Sequence, residues 1–142
     1  MSEGEQSSMS WREFIETCAA ACADGLPERE FGKRFEGMIV QWSGTVEWMN
    51  RRKGSGVPGI RVTMPRVEVR LPSGRKFVGR SLGLGLTPGA DMEKALTMQV
   101  GDAIVFRGEF SANGVFPNLT FTPDEEKNEV VLMTGLVRAK LV

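Results

Sequence analysis

The sequence predicts a mainly β protein: a five-stranded barrel preceded by an N-terminal amphipathic helix and followed by one extra C-terminal strand. Three observations predict it. Seventeen glycines and seven prolines in 142 residues suit many short strands joined by turns better than a helical bundle. From Met38 onward apolar and polar residues alternate at period two, whereas Trp11 to Cys22 repeat at helical spacing. Asn113-Gly114 stands between two alternating runs, the strongest hairpin signal in the chain.

The elements follow in order. Residues 1–9 read as a disordered tail, 10–35 as a helix with a charged connector, and 36–142 as the barrel with its extra strand, one domain overall. Ser10-Trp11-Arg12-Glu13 fits a capping box, and Trp11, Phe14, Ile15, Cys18, Ala19 and Cys22 form the buried stripe of the helix it opens. Asp24-Gly25 is its stop. Phe31 and Phe35, four apart, suggest a short helical turn in the connector.

The first strand runs from Met38 to Trp48, with Gly44 marking a bend at a barrel corner. The loop 50–59 leads to a second strand, Ile60 to Leu71. Its apolar parity flips at Pro65, which reads as a bulge. Pro72-Ser73-Gly74 turns into a third strand, Arg75 to about Leu84. A short helix over 87–96 comes next, with Pro88 and acidic residues at its start. Gly101-Asp102 enters a fourth strand, Ala103 to Phe110, paired through Asn113-Gly114 with a fifth near Val115 to Thr122. Glu129 to Val142 is the extra strand.

Three strands, a short helix and two strands is the connectivity of an OB-fold. Val40-Gln41-Trp42-Ser43-Gly44-Thr45-Val46 and Gly101-Asp102-Ala103-Ile104-Val105-Phe106-Arg107-Gly108 resemble the first and fourth strands of the anticodon-binding-like (tRNA_anti-like) OB family. The resemblance covers roughly residues 36–122. A weaker likeness, in Gly101 to Leu119, is to the OB-like domain of wolframin. Neither resemblance brings catalytic residues with it.

Composition narrows the function classes. A chain of this length hides about 68–70% of its unfolded surface, enough for one core without staples. There is no histidine, which excludes Ser-His-Asp and Cys-His catalysis and histidine-containing zinc sites. Asp91, Glu93, Asp102 and Glu109 stand singly, so no catalytic residue is assigned. Cys18 and Cys22, the only cysteines, read as core-facing thiols and not as metal ligands. No cofactor is expected. The polar start Met1 to Gln6 has neither region of a secretory signal, and no apolar run nears the ~20 residues of a membrane helix. The expected setting is the cytosol or nucleus, with no membrane partner.

Two motifs are set aside. Gly54-Ser55-Gly56-Val57-Pro58-Gly59 matches a dinucleotide-binding pattern, but it leads into a strand instead of opening a helix. Asn118-Leu119-Thr120 is a glycosylation sequon, which has meaning only in a secreted protein.

The charge pattern carries the functional expectation. The chain is neutral overall, yet residues 38–80 hold nine basic residues against Glu47 and Glu68, a net of +7. The basic residues are Arg51, Arg52, Lys53, Arg61, Arg66, Arg70, Arg75, Lys76 and Arg80. In OB-folds the second and third strands and the loop before them bind extended ligands, often oligonucleotides. The expected partner is therefore single-stranded nucleic acid. Arg51, Arg52 and Lys53 would clamp its backbone, Arg61, Arg66, Arg70 and Arg80 would line the groove, and Phe77 would offer a stacking surface, with Trp48 a second candidate. The competing partner is an acidic or extended protein segment bound on the same face. The amphipathic helix and Val130-Val131-Leu132-Met133 are candidate contacts for a homo-oligomer.

Overall fold

The N-terminal helix forms as its cap signal requires. In the computed structural model, which describes residues 8–49, 59–86, 97–110 and 119–142, α1 spans Trp11–Ala23. Ser10 Oγ accepts from the Glu13 amide at 3.1 Å, and the Ser10 amide donates to Glu13 Oε1 at 3.2 Å. Two free amides of the first turn are thus satisfied reciprocally. The helix buries Trp11, Phe14, Ile15, Cys18 and Ala19. A short α2 (Glu28–Gly32) and a 3-10 turn (Lys33–Phe35) bring Phe31 and Phe35 into the same core. Residues 1–7 of the expected tail, the short helix over 87–96 and the turn at Asn113-Gly114 lie outside the described residues.

Six strands follow: β1 (Ile39–Met49), β2 (Gly59–Arg70), β3 (Lys76–Leu86), β4 (Ala103–Glu109), β5 (Leu119–Asp124) and β6 (Glu129–Leu141). The hairpin between β2 and β3 turns at Gly74, whose φ of +91° only glycine adopts without strain. The strand circuit is β1–β2–β3–β6–β4 and back to β1, antiparallel except for the parallel β3–β6 pair that closes it. A closed five-stranded barrel of this order fits an OB-like fold. β5 hydrogen-bonds to β6 outside the circuit.

The identity of the closing strand differs from expectation. The strand after Asn113-Gly114 was expected to pair with β4 and complete the barrel, leaving the C-terminal strand as the extra one. Instead β6 closes the barrel and β5 is the added strand. Both edges of β4 are already occupied, by β1 along Ile39 to Thr45 and by β6 along Val137 to Leu141.

β1 turns the barrel corner at Gly44. Its first half pairs with β4 up to Thr45, and its second half pairs with β2 from Thr45 onward. Gly44 lies against Val62 and the Thr63 carbonyl, where a Cβ would come within 2.7 Å of the carbonyl oxygen. Trp11 of α1 then docks on the barrel wall, donating from Nε1 to the Pro65 carbonyl at 2.8 Å. Beside it, Trp42 Nε1 donates to the Met9 carbonyl at 2.9 Å. Phe14 sits 5.1 Å from Phe110 and 5.2 Å from Phe35, ring centre to ring centre. Most of the aromatic residues are therefore committed to the seam between helix and barrel.

Candidate functional site

Strand alternation decides which side chains reach the outer face. On β2 the buried residues are Ile60, Val62 and Met64, then Val67, with Leu71 buried just past its end. Arg61, Arg66 and Arg70 are exposed on both sides of a register shift between Thr63 and Val67. The bulge expected at Pro65 is present, and it keeps the three arginines outward.

β3 carries a matching irregularity. Leu82 and Leu84 pair with Val62 and Ile60 and face the interior. Past the shift, Gly79 and Phe77 pair with Val67 and Val69 and also face the interior. Phe77 is fully buried, with its ring edge-on to Phe121 at 5.3 Å. It offers no stacking surface, contrary to expectation.

The basic residues divide into two groups. At the hairpin end, Arg66 Nη2 donates to Glu129 Oε2 at 2.6 Å and Arg66 Nε donates to Glu68 Oε1 at 2.7 Å. Lys76 Nζ lies 3.7 Å from Glu68 Oε2. The hydrogen bond from Arg66, with help from Lys76, holds the Glu68 carboxyl below its ordinary range. Glu129 is buried, and its Oε1 has no hydrogen-bond partner among the described residues. Two cations and two carboxylates thus neutralise each other across β2, β3 and β6. Glu129 was invisible to a local charge count because it enters from the strand that closes the barrel.

The remaining predicted residues are not tied down in this way. Arg61, Arg70, Arg75 and Arg80 form no ion pair among the described residues. Arg70 stands opposite Lys76 beside the hairpin, and Arg75 and Arg80 are half-buried. Arg51, Arg52 and Lys53 lie outside the described residues, in the connection from β1 to β2.

Arg61 sits at the far end of the face from the neutral quartet. It pairs in register with Trp48 on β1 and Gly83 on β3. Trp48 is 56% exposed, the one aromatic ring open to solvent among the described residues. From Trp48 a groove of about 450 Å³ crosses the outer face over β2, β3 and β6 to Thr120 on β5. Gly59, Gly83, Gly85 and Gly135 line it, and Arg61 is its single charged lining residue among those described. Its volume lies within the ~300–1,000 Å³ range of small-ligand sites.

Comparison with known proteins adds a structural likeness. No family model matches the chain, and no curated protein sequence matches it. Among solved structures, the chain is similar to a candidate nucleic acid-binding lipoprotein from Klebsiella pneumoniae. The identity is 14% and the TM-score 0.47, over 98% of this chain and 92% of that one.

Among the described residues no group of three or more Cys, Asp or Glu is placed to hold a metal ion. Burial pushes the Cys18 thiol far above its ordinary pKa, which keeps it protonated and unreactive. No helix among the described residues is long and apolar enough to cross a membrane.

Proposed function

We propose that this chain is a non-catalytic binding module that holds single-stranded nucleic acid on the outer face of β2 and β3, at the Trp48–Arg61 end. The observation that carries this reading is the placement of a solvent-open indole directly across from Arg61, which forms no ion pair among the described residues, at the mouth of a groove whose described lining has no acidic residue. An unpaired base can stack on the indole, a contact worth ~1–3 kcal/mol. The guanidinium can meet the adjoining phosphate with two parallel hydrogen bonds. Arg51, Arg52 and Lys53 follow Trp48 in the chain and add three positive charges to the same connection.

The site moves relative to the sequence-based expectation. Arg66 and Lys76 are partnered by carboxylates, so those two side chains have little free charge to offer phosphates. Arg61 takes the central role, and Arg80 and Arg70 become peripheral.

A second reading has its own support. The groove lining is mostly apolar, which also suits an extended protein segment. Amide-shift mapping by NMR separates the two. Adding a short oligothymidine should move the amides of Trp48, Arg61 and Ser81 to Gly85 while leaving Arg66 to Arg70 nearly still. Shifts confined to the quartet, or none, would overturn the nucleic-acid reading. Shifts of the same groove amides by an acidic peptide alone would favour the protein segment.

A further inference from the structure

The groove floor contains glycines that the fold does not require. Gly135 has a packing reason to be bare: a Cβ there would sit 3.1 Å from the Gly83 carbonyl oxygen, where β3 and β6 run parallel. Gly59, Gly83 and Gly85 have none. Their φ values are not in the left-handed region, and a Cβ at each would meet its nearest atoms at 3.7–3.8 Å, an ordinary contact. Glycine weakens a strand interior because it loses more conformational freedom on folding and packs nothing. Bare backbone at three such positions on one outer face marks a place where something else approaches closely.

We infer that Gly59, Gly83 and Gly85 form a seat for one planar ring, an unpaired nucleobase lying face down on the exposed peptide planes between Trp48 and Met133. This deepens the reading above and rests on it. The shape of the site favours a flat group. β-strand backbone without side chains presents a level surface of alternating amides, and Ser81 and Thr120 supply hydroxyls at the rim. The charge favours the same ligand, since the single charged lining residue among those described is the cation Arg61. A base engaged in a duplex keeps both of its faces stacked on neighbours, so the seat selects single strands.

The test uses the intact chain as wild type and as Gly83→Val/Gly85→Val, with three probes: an oligothymidine, an abasic strand of equal length, and free adenosine. The valines project into the groove and suit strands better than glycine does. The variant should therefore melt no lower than wild type while losing at least about tenfold in oligothymidine affinity. In the wild type, adenosine should shift the Gly83 and Gly85 amides, and the abasic strand should bind more weakly than oligothymidine.

Each other outcome has a meaning. If the variant binds oligothymidine as tightly as wild type, the seat is overturned and the strand-binding reading stands. Should adenosine shift the glycine amides while oligothymidine fails to bind, the strand-binding reading falls and the seat stands. With no response to either probe, both fall. If the double variant does not fold, Gly85→Ala and the wild-type adenosine titration still decide the matter.

Discussion

Trp48 on β1 and Phe77 on β3 are two aromatic residues with opposite fates, and the contrast is testable. Trp48→Ala removes an exposed ring, so it should leave the melting temperature nearly unchanged and weaken oligonucleotide binding by ~1–3 kcal/mol. Phe77→Ala empties a buried site and should cost ~3–5 kcal/mol of stability, read from urea unfolding. If Phe77→Ala left stability intact, its interior placement would be wrong. The sequence could not tell these two residues apart. Counting by twos from Leu82 and Leu84 puts Phe77 outside. The register shift between the Thr63–Ser81 and Val67–Gly79 pairs reverses the parity. A bulge on β2 announced itself through Pro65, but its counterpart on β3 falls at Arg80-Ser81, which carries no such mark.

Between elements, the Arg66–Glu129 ion pair links β2 to β6 across β3, the strand that lies between them. Arg66→Ala would leave the buried Glu129 carboxylate without its partner, and such loss is strongly unfavourable even where the pair itself adds little. The variant should therefore unfold at a lower urea concentration than wild type. The pH dependence has a definite sign. The folded Glu68 pKa lies below its unfolded value, chiefly through the Arg66 hydrogen bond. Its stabilisation is present above the ordinary carboxylate range and is lost as pH falls through the depressed folded value. Urea midpoints measured between pH 7 and 3 should fall toward acid in the wild type and fall less steeply in Arg66→Ala. Equal slopes would mean that the ion pair does not form in solution. The strands themselves were legible, because alternation locates them to within a few residues. Which strand closes the barrel was not. Period-two patterning identifies a face but says nothing about which edge accepts a neighbour, so β5 and β6 exchanged roles.

At the scale of the whole molecule, a neutral chain concentrates positive charge in one stretch, and the fold then redistributes it. The +7 of residues 38–80 suggests a uniformly basic flank. In three dimensions Glu68 and Glu129 neutralise Arg66 and Lys76, while Arg70 and Arg75 at the hairpin and Arg61 beside Trp48 and the groove form no ion pair among the described residues. The β2–β3 face was thus legible from charge and strand order. Its division was not, because it depends on the Glu129 carboxylate, 63 residues from Arg66 in sequence. The central claim is that this face binds single-stranded nucleic acid through phosphate contacts and stacking. The most direct measurement is a fluorescence-anisotropy titration of a labelled oligothymidine at ~50 and ~200 mM salt. Each phosphate contact on a single strand contributes a slope of about −0.7 in log affinity against log salt. The account predicts clear binding at low salt that weakens several-fold at high salt, and further weakening in Arg61→Glu. Absence of binding at low salt, or an affinity indifferent to both salt and Arg61→Glu, would contradict it.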